Sequence, residues 1–166
     1  MKNTDQDAVE FQRKYRPTDY SEMEGQTRAV ATLINMKRVF PHALALTGGA
    51  GTGKTTLARI IRKKLHCADR DYKEVNLADS RGIDTIREII SQMPLAPTEG
   101  LTRVWTLDEA HQLPSMSQNS FLKPLEEPPA HVYFILVTTD WHKMLKTIQT
   151  RCTKIELKPL TREALW

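Results

Sequence analysis

Cysteine is scarce. Cys67 and Cys152 are the two in 166 residues; they stand far apart and form no CxxC pair, so neither a zinc-ligand spacing nor a disulfide framework is present. Both read as reduced thiols in a cytosolic setting. Long apolar runs are also missing: no window approaches the roughly 18 apolar residues of a membrane span. The opening MKNTDQDAVEFQRKY carries no apolar stretch of the signal-peptide kind. These absences predict a soluble, cytoplasmic chain with no membrane partner. No internal repeat or low-complexity tract occurs, and neither sign of charge dominates. Lys and Arg number 24 against 20 Asp and Glu, a net +4 that leans only mildly toward a polyanionic partner.

What is present is a 40% hydrophobic content, enough in this length to bury one core and form one domain. Short breaks at Arg16-Pro17, Met93-Pro94 to Gly100, Glu127-Pro128-Pro129 and Lys158-Pro159 divide the chain. Between them, apolar runs read as strands: 43–47, 74–77, 104–107, 132–137 and 153–157. Helical stripes alternate with these runs. Leu57, Ile60, Ile61 and Leu65 share one face, backed by Arg59, Arg62, Lys63 and Lys64. Ile83, Ile86, Ile90 and Met93 form a second stripe, and Val30, Leu33 and Ile34 a third. Buried strands alternating with amphipathic helices predict an α/β fold, a parallel sheet with helices on both faces. Residues 161–166 read as the N-cap and first turn of a further helix that is cut short.

Gly48-Gly49-Ala50-Gly51-Thr52-Gly53-Lys54-Thr55 fits G-x4-G-K-[ST] between a predicted strand and a predicted helix, the context a P-loop requires. The glycines let successive backbone N–H groups turn inward toward phosphate oxygens, and the following helix adds its positive end. Lys54 is expected to reach the β- and γ-phosphates of ATP, and the Thr55 hydroxyl to ligate Mg2+. Downstream, the run 104–107 delivers Asp108 and Glu109 to the carboxyl edge of the sheet, where ligands gather in open α/β folds. Asp108 is expected to hold Mg2+ through its water shell, and Glu109 to activate the attacking water. Two adjacent acids also suit a helix start, and the P-loop upstream decides for the chemistry.

Asp108-Glu109-Ala110-His111 spells the box that names a group of RNA helicases. Those enzymes need a second lobe to complete the site, and no Gln-Arg-x-x-Arg-like run offers one, so the spelling is coincidental. The stretches Asp108 to Leu113, Asn119 to Pro129, Phe134 to Asp140 and Thr150-Arg151-Cys152 instead resemble the AAA+ ATPase subunits of sliding-clamp loaders. These are of the DNA polymerase III gamma/tau and replication-factor-C small-subunit types. Lys14-Tyr15-Arg16-Pro17 with Gly25-Gln26 looks like that family's adenine-side motif. Asn76 to Asp84 looks like its second-strand motif.

The resemblance runs from about residue 11 to 160 and implies a P-loop AAA+ domain over 1–160, with 161–166 beginning a lid domain. It implies a five-stranded parallel sheet in the order 5-1-4-3-2. It also implies an ATPase active only in an oligomer, which loads a sliding clamp onto primer-template DNA in bacterial or phage replication, associated with the nucleoid. The nucleotide would be bound by Tyr15, Arg16, Pro17 and the P-loop residues Gly48 to Thr55 with Thr56. Thr139 would sense the γ-phosphate. Arg151 would reach the ATP of a sister subunit, and Arg81, Arg87 and Lys123 would touch the DNA backbone. Phe121 and Leu122 read as core.

The chain departs from the family at Pro124, where a helix is expected to continue. It also lacks the cysteine-held zinc module that gamma/tau subunits carry after the P-loop helix. Alternatives within the same reading are another AAA+ DNA-remodelling ATPase, such as a Holliday-junction motor or a recombination-associated relative, and a non-hydrolysing structural subunit.

Overall fold

The structure, a computed structural model, describes residues 15–36, 39–79 and 82–160. Lys14, at the front of the adenine-side motif, and the lid start at 161–166 lie outside the described residues.

The apolar runs form β1 (Ala43–Thr47), β2 (Tyr72–Asn76), β3 (Arg103–Asp108), β4 (Val132–Thr138) and β5 (Thr153–Glu156). All pair in parallel in the order β2-β3-β4-β1-β5, the implied 5-1-4-3-2 order viewed from the other edge. β1 lies inside the sheet and is buried at every position. β2 is an edge strand with exposed Lys73, Glu74 and Asn76, and starts two residues ahead of its apolar run.

Between and around the strands lie α1 (Thr27–Asn35), α2 (Lys54–Lys64), α3 (Gly82–Gln92), α4 (Ser115–Glu126) and α5 (Lys146–Gln149). The two-residue period of β1 sorts them into layers. Ala43 and Ala45 face Ile86 and Ile89 of α3, Phe121 and Leu125 of α4 and Ile148 of α5. Leu44 and Leu46 face Leu33 of α1 and Leu57, Ile60 and Ile61 of α2. The small alanines share their layer with large aromatics: Phe134 lies 5.8 Å from Trp105 and meets Phe121 edge-on at 4.9 Å. Leu57, Ile60 and Ile61 are at most 1% exposed. Burial contributes roughly 1.5–3 kcal/mol for each, which holds α2, and with it Lys54 and Thr55, against the sheet.

Two stripes are rotated relative to expectation. Ile90 is 38% exposed and Ile89 only 3%, so α3 buries Ile86, Ile89 and Met93 and turns Ile90, about 100° further round, to the rim. Ile34 is likewise 42% exposed. Phe121 is buried and Leu122 packs half-buried beside it, as core residues. Pro124 does not break α4, because it sits in the last turn. Only the Ser120 carbonyl loses its partner, at an exposed position, and the ladder resumes as Glu127 N–H donates to the Lys123 carbonyl at 3.1 Å.

Ahead of β2, the Asp71 carboxylate accepts the backbone N–H groups of Thr98, Glu99 and Gly100 at 2.6, 2.9 and 2.8 Å and faces Arg103 at 3.7 Å. Burial works to raise its pKa, but the three amides outweigh burial and hold it at about 2. Gly100 has to be glycine: a Cβ there would lie 2.7 Å from the His66 carbonyl oxygen and the Ala68 nitrogen. No helix among the described residues is long and apolar enough to cross a membrane. Cys67 and Cys152 are both free thiols, and burial pushes Cys152 up to about 12.

Candidate active site

Because the strands are parallel, the loop after β1 and the ends of β3 and β4 meet at one edge of the sheet. The P-loop, 48–53, turns there through positive φ at Gly48, Gly51 and Gly53. Gly48 is the tightest point: a Cβ would come within 2.3 Å of the Leu157 carbonyl oxygen behind the loop. The Lys54 side chain begins at the first turn of α2 and folds over the loop, donating from Nζ to the carbonyls of Gly48 (2.9 Å) and Gly49 (2.6 Å). Burial lowers its pKa, while the charges of Glu109 and Asp108 work the other way. Thr52 braces the loop from within, its hydroxyl donating to the Gly49 carbonyl at 3.0 Å.

Thr55 Oγ1 donates to Asp108 Oδ2 at 2.8 Å, joining the start of α2 to the end of β3. The other carboxylate oxygen of Asp108 accepts the Glu109 N–H at 2.9 Å. Glu109 takes the left-handed backbone conformation, φ 54° and ψ 42°, which a non-glycine residue adopts rarely. Its carboxylate is loosely held, with Thr139 Oγ1 at 3.5 Å and His111 Nδ1 at 3.4 Å from Oε2. Together, Arg16, residues 50–56, Asp108, Glu109 and Thr139 line a cleft of roughly 440 Å3.

Among the described residues no three His, Cys, Asp or Glu side chains cluster as metal ligands. A cation here would therefore rest on few protein groups. Thr55 and Asp108 supply paired hard oxygens, a set that suits Mg2+ completed by water and phosphate oxygens.

Not every expected residue converges. Gly48 and Gly49 form the floor that Lys54 binds, whereas Tyr15 and Pro17 do not line the cleft. Arg16 and Pro17 edge a neighbouring hollow against Arg59, Ile60, Arg62 and Lys63 of α2, and Tyr15 is 70% exposed. Arg151 stands just ahead of β5, at the amino-terminal edge of the sheet, opposite the P-loop. Its Nε donates to Glu126 Oε1 at 2.6 Å, Nη2 pairs with the same oxygen, and Nη1 donates to the Thr147 carbonyl at 2.8 Å. Its side chain is 29% exposed, neither interior nor folded onto its own P-loop. Arg87 and Lys123 are exposed on α3 and α4, which pack together, and Arg87 pairs with Asp84 at 3.5 Å. Arg81 lies outside the described residues.

Gln26 has a role beyond its motif that sequence reasoning missed. It is 4% exposed, and its Nε2 donates to the Lys158 carbonyl at 2.7 Å and the Thr52 carbonyl at 3.5 Å. Its Oε1 accepts the Lys158 N–H at 3.2 Å. The side chain thus staples the P-loop to the segment after β5, and no local pattern signals a partner so distant in sequence.

Residues 70–161 match the family described as DNA polymerase III, delta subunit. This match begins beyond the P-loop, so the nucleotide loop stands on its own sequence and geometry. The tau subunit of DNA polymerase III from Bacillus subtilis is 34% identical over 92% of this chain and 31% of that protein. The gamma subunit from Buchnera aphidicola subsp. Schizaphis graminum is 34% identical over 93% of this chain and 49% of its own length. The chain thus spans a third to a half of these relatives. Among solved structures, the Holliday-junction branch-migration motor RuvB of Thermotoga maritima superposes with a TM-score of 0.71 at 22% identity, covering 91% of this chain and 51% of that one. A gamma-subunit-related protein of the same organism gives 0.64 at 23%, covering 79% and 47%. These last two likenesses show the fold alone.

Proposed function

Since this chain belongs to the DNA polymerase III delta-subunit family, we propose that it is the nucleotide-binding domain, over residues 1–160, of a clamp-loader ATPase subunit. In this reading ATP binding assembles sister subunits around primer-template DNA. Hydrolysis then releases a sliding clamp onto the duplex, in the cytoplasm of a bacterium or during phage replication, with 161–166 leading into a lid domain.

One observation carries the reading: the cleft holds Lys54, Thr55, Asp108, Glu109 and Thr139, while Arg151 is held at the opposite edge of the sheet, away from its own cleft, which leaves it available to another molecule's. The P-loop amides and Lys54 cradle the phosphates. Thr55 and Asp108 would hold Mg2+, which would supply charge neutralisation at the phosphate oxygens. Glu109 accepts a proton from water as the water oxygen bonds to the γ-phosphorus and the bond to the bridging oxygen breaks, yielding ADP and phosphate. Thr139 hydrogen-bonds the water or the γ-phosphate. A sister subunit's copy of Arg151 meets the charge that develops, and Arg81, Arg87 and Lys123 offer sequence-independent phosphate contacts to DNA.

The likeness to RuvB extends to the fold, whereas the sequence similarity is to replication subunits, which favours clamp loading over branch migration. The intact P-loop and Asp108-Glu109 pair favour hydrolysis over a purely structural role. The test is Arg151→Ala in the full assembly. ATP affinity is expected to be unchanged, and DNA-stimulated hydrolysis to fall by roughly 10^3 to 10^5. Loss of ATP binding instead would assign Arg151 to its own pocket and overturn the reading.

A further inference from the structure

We propose that His111 is a positioning residue for Glu109, with its ring tautomer set by Gln112. The inference rests on the reading that Glu109 activates water.

Glu109 leaves β3 in the left-handed conformation and is followed by a single helical turn, Ala110–Gln112, closed by the Gln112 N–H on the Glu109 carbonyl at 2.8 Å. Ala110 is fully buried, which pins the turn and fixes where the next side chain points. The His111 side chain is only 8% exposed and lies back across the end of the neighbouring strand β4. Gln112 Nε2 donates to His111 Nε2 at 3.2 Å. In a neutral imidazole an accepting Nε2 places the proton on Nδ1. Nδ1 lies 2.9 Å from Thr138 Oγ1 and 3.4 Å from Glu109 Oε2. The Thr138 oxygen also accepts the Asp140 N–H at 3.0 Å, so its acceptor positions are taken by Nδ1–H and that amide.

The opposite tautomer would set a ring lone pair against the Glu109 carboxylate, an unfavourable contact that the observed arrangement avoids. Glu109 Oε2 therefore lies beside the positive Nδ1–H edge of the His111 ring, 3.4 Å from Nδ1 while that N–H is donated to Thr138, and accepts from Thr139 Oγ1 at 3.5 Å. Oε1 is left to receive the water. His111 thus links the ends of β3 and β4 and sets the angle at which the base meets the nucleotide.

The experiment measures steady-state hydrolysis, nucleotide affinity and thermal melting of the full chain in its assembled complex, for His111→Ala, His111→Asn, Gln112→Ala and Glu109→Gln. Misplacing a catalytic group by about 1 Å costs roughly 10^2 in rate, and that is the fall in kcat expected for His111→Ala, with KM and affinity unchanged. His111→Asn keeps an N–H near the place of Nδ1 and is expected to restore most of the rate. Gln112→Ala, at an exposed position, frees the tautomer and is expected to lower kcat several-fold without changing the melting temperature. Parent-like kcat in His111→Ala, or equal losses in the Ala and Asn variants, overturns the proposal by leaving His111 a packing role alone. Hydrolysis that survives Glu109→Gln removes the water-activating reading beneath it. An inactive Glu109→Gln beside an active His111→Ala removes this inference only.

Discussion

Asp71 and Glu109 are two carboxylates at opposite edges of one sheet, and they are held in opposite ways. Asp71, ahead of β2, is 2% exposed and saturated by three backbone amides with Arg103 alongside. Glu109, just after β3, is 36% exposed in its side chain, sits on a left-handed backbone and, among the described residues, has only contacts of 3.4 and 3.5 Å to Oε2. A carboxylate whose lone pairs are all satisfied ties chain segments together and has nothing left for a ligand. One left under-satisfied in a cleft is available for chemistry. Asp71 is thus architecture, whereas Glu109 stands open on the cleft at the carboxyl-terminal edge.

The sharpest way to break this contrast is Lys54→Ala. Truncating a buried charged partner of a bound anion costs roughly 2–5 kcal/mol, so ATP affinity measured by equilibrium titration is expected to drop by about two orders of magnitude or more with the fold intact. Unchanged affinity would make Lys54 a loop staple, as structural as Asp71. Next comes Asp71→Asn, which sets an amide against backbone donors. A loss of roughly 3 kcal/mol in denaturant unfolding is expected, with ATP affinity retained once the protein is folded; a selective loss of affinity would mean the two edges are coupled.

The same aspartate carries a pH signature of its own. Its folded pKa, about 2, lies below the ordinary 3.8. The stability it contributes is therefore fully present above 3.8 and is lost as pH falls toward 2. Acid unfolding of Asp71→Asn is expected to be flatter than the parent's in that window, and parallel curves would refute the amide cradle. The smallest effect is expected from Glu126→Gln. The ion pair with Arg151 is partly exposed on both sides, so stability should change by less than about 1 kcal/mol, and a larger loss in thermal unfolding would mark Arg151 as structural.

Much of this was legible beforehand. The P-loop pattern, the Asp108-Glu109 pair and the five apolar runs are local, and each led to the element and edge where it was expected. The phase of the stripe on α3 was less legible. Ile89 and Ile90 are equally apolar, and the choice between them depends on how α4 and the sheet approach, which a single helix does not encode. Pro124 looked like a break in its helix and is accommodated because it falls in the final turn. Gln26 and Asp71 were invisible as anchors, since their partners, Lys158 for one and 98–100 for the other, are brought near only by folding.

By itself the sequence determined the alternation of strands and helices, the glycine-rich turn after β1 and the placement of charged groups at strand ends, because these depend on periodicity and on neighbours within a few residues. Tertiary structure alone decided that Thr55 meets Asp108, that His111 lies against Glu109 and Thr138, and that Arg151 faces away from its own cleft. Those relations follow from strand order and parallel register, which the packing of distant segments sets.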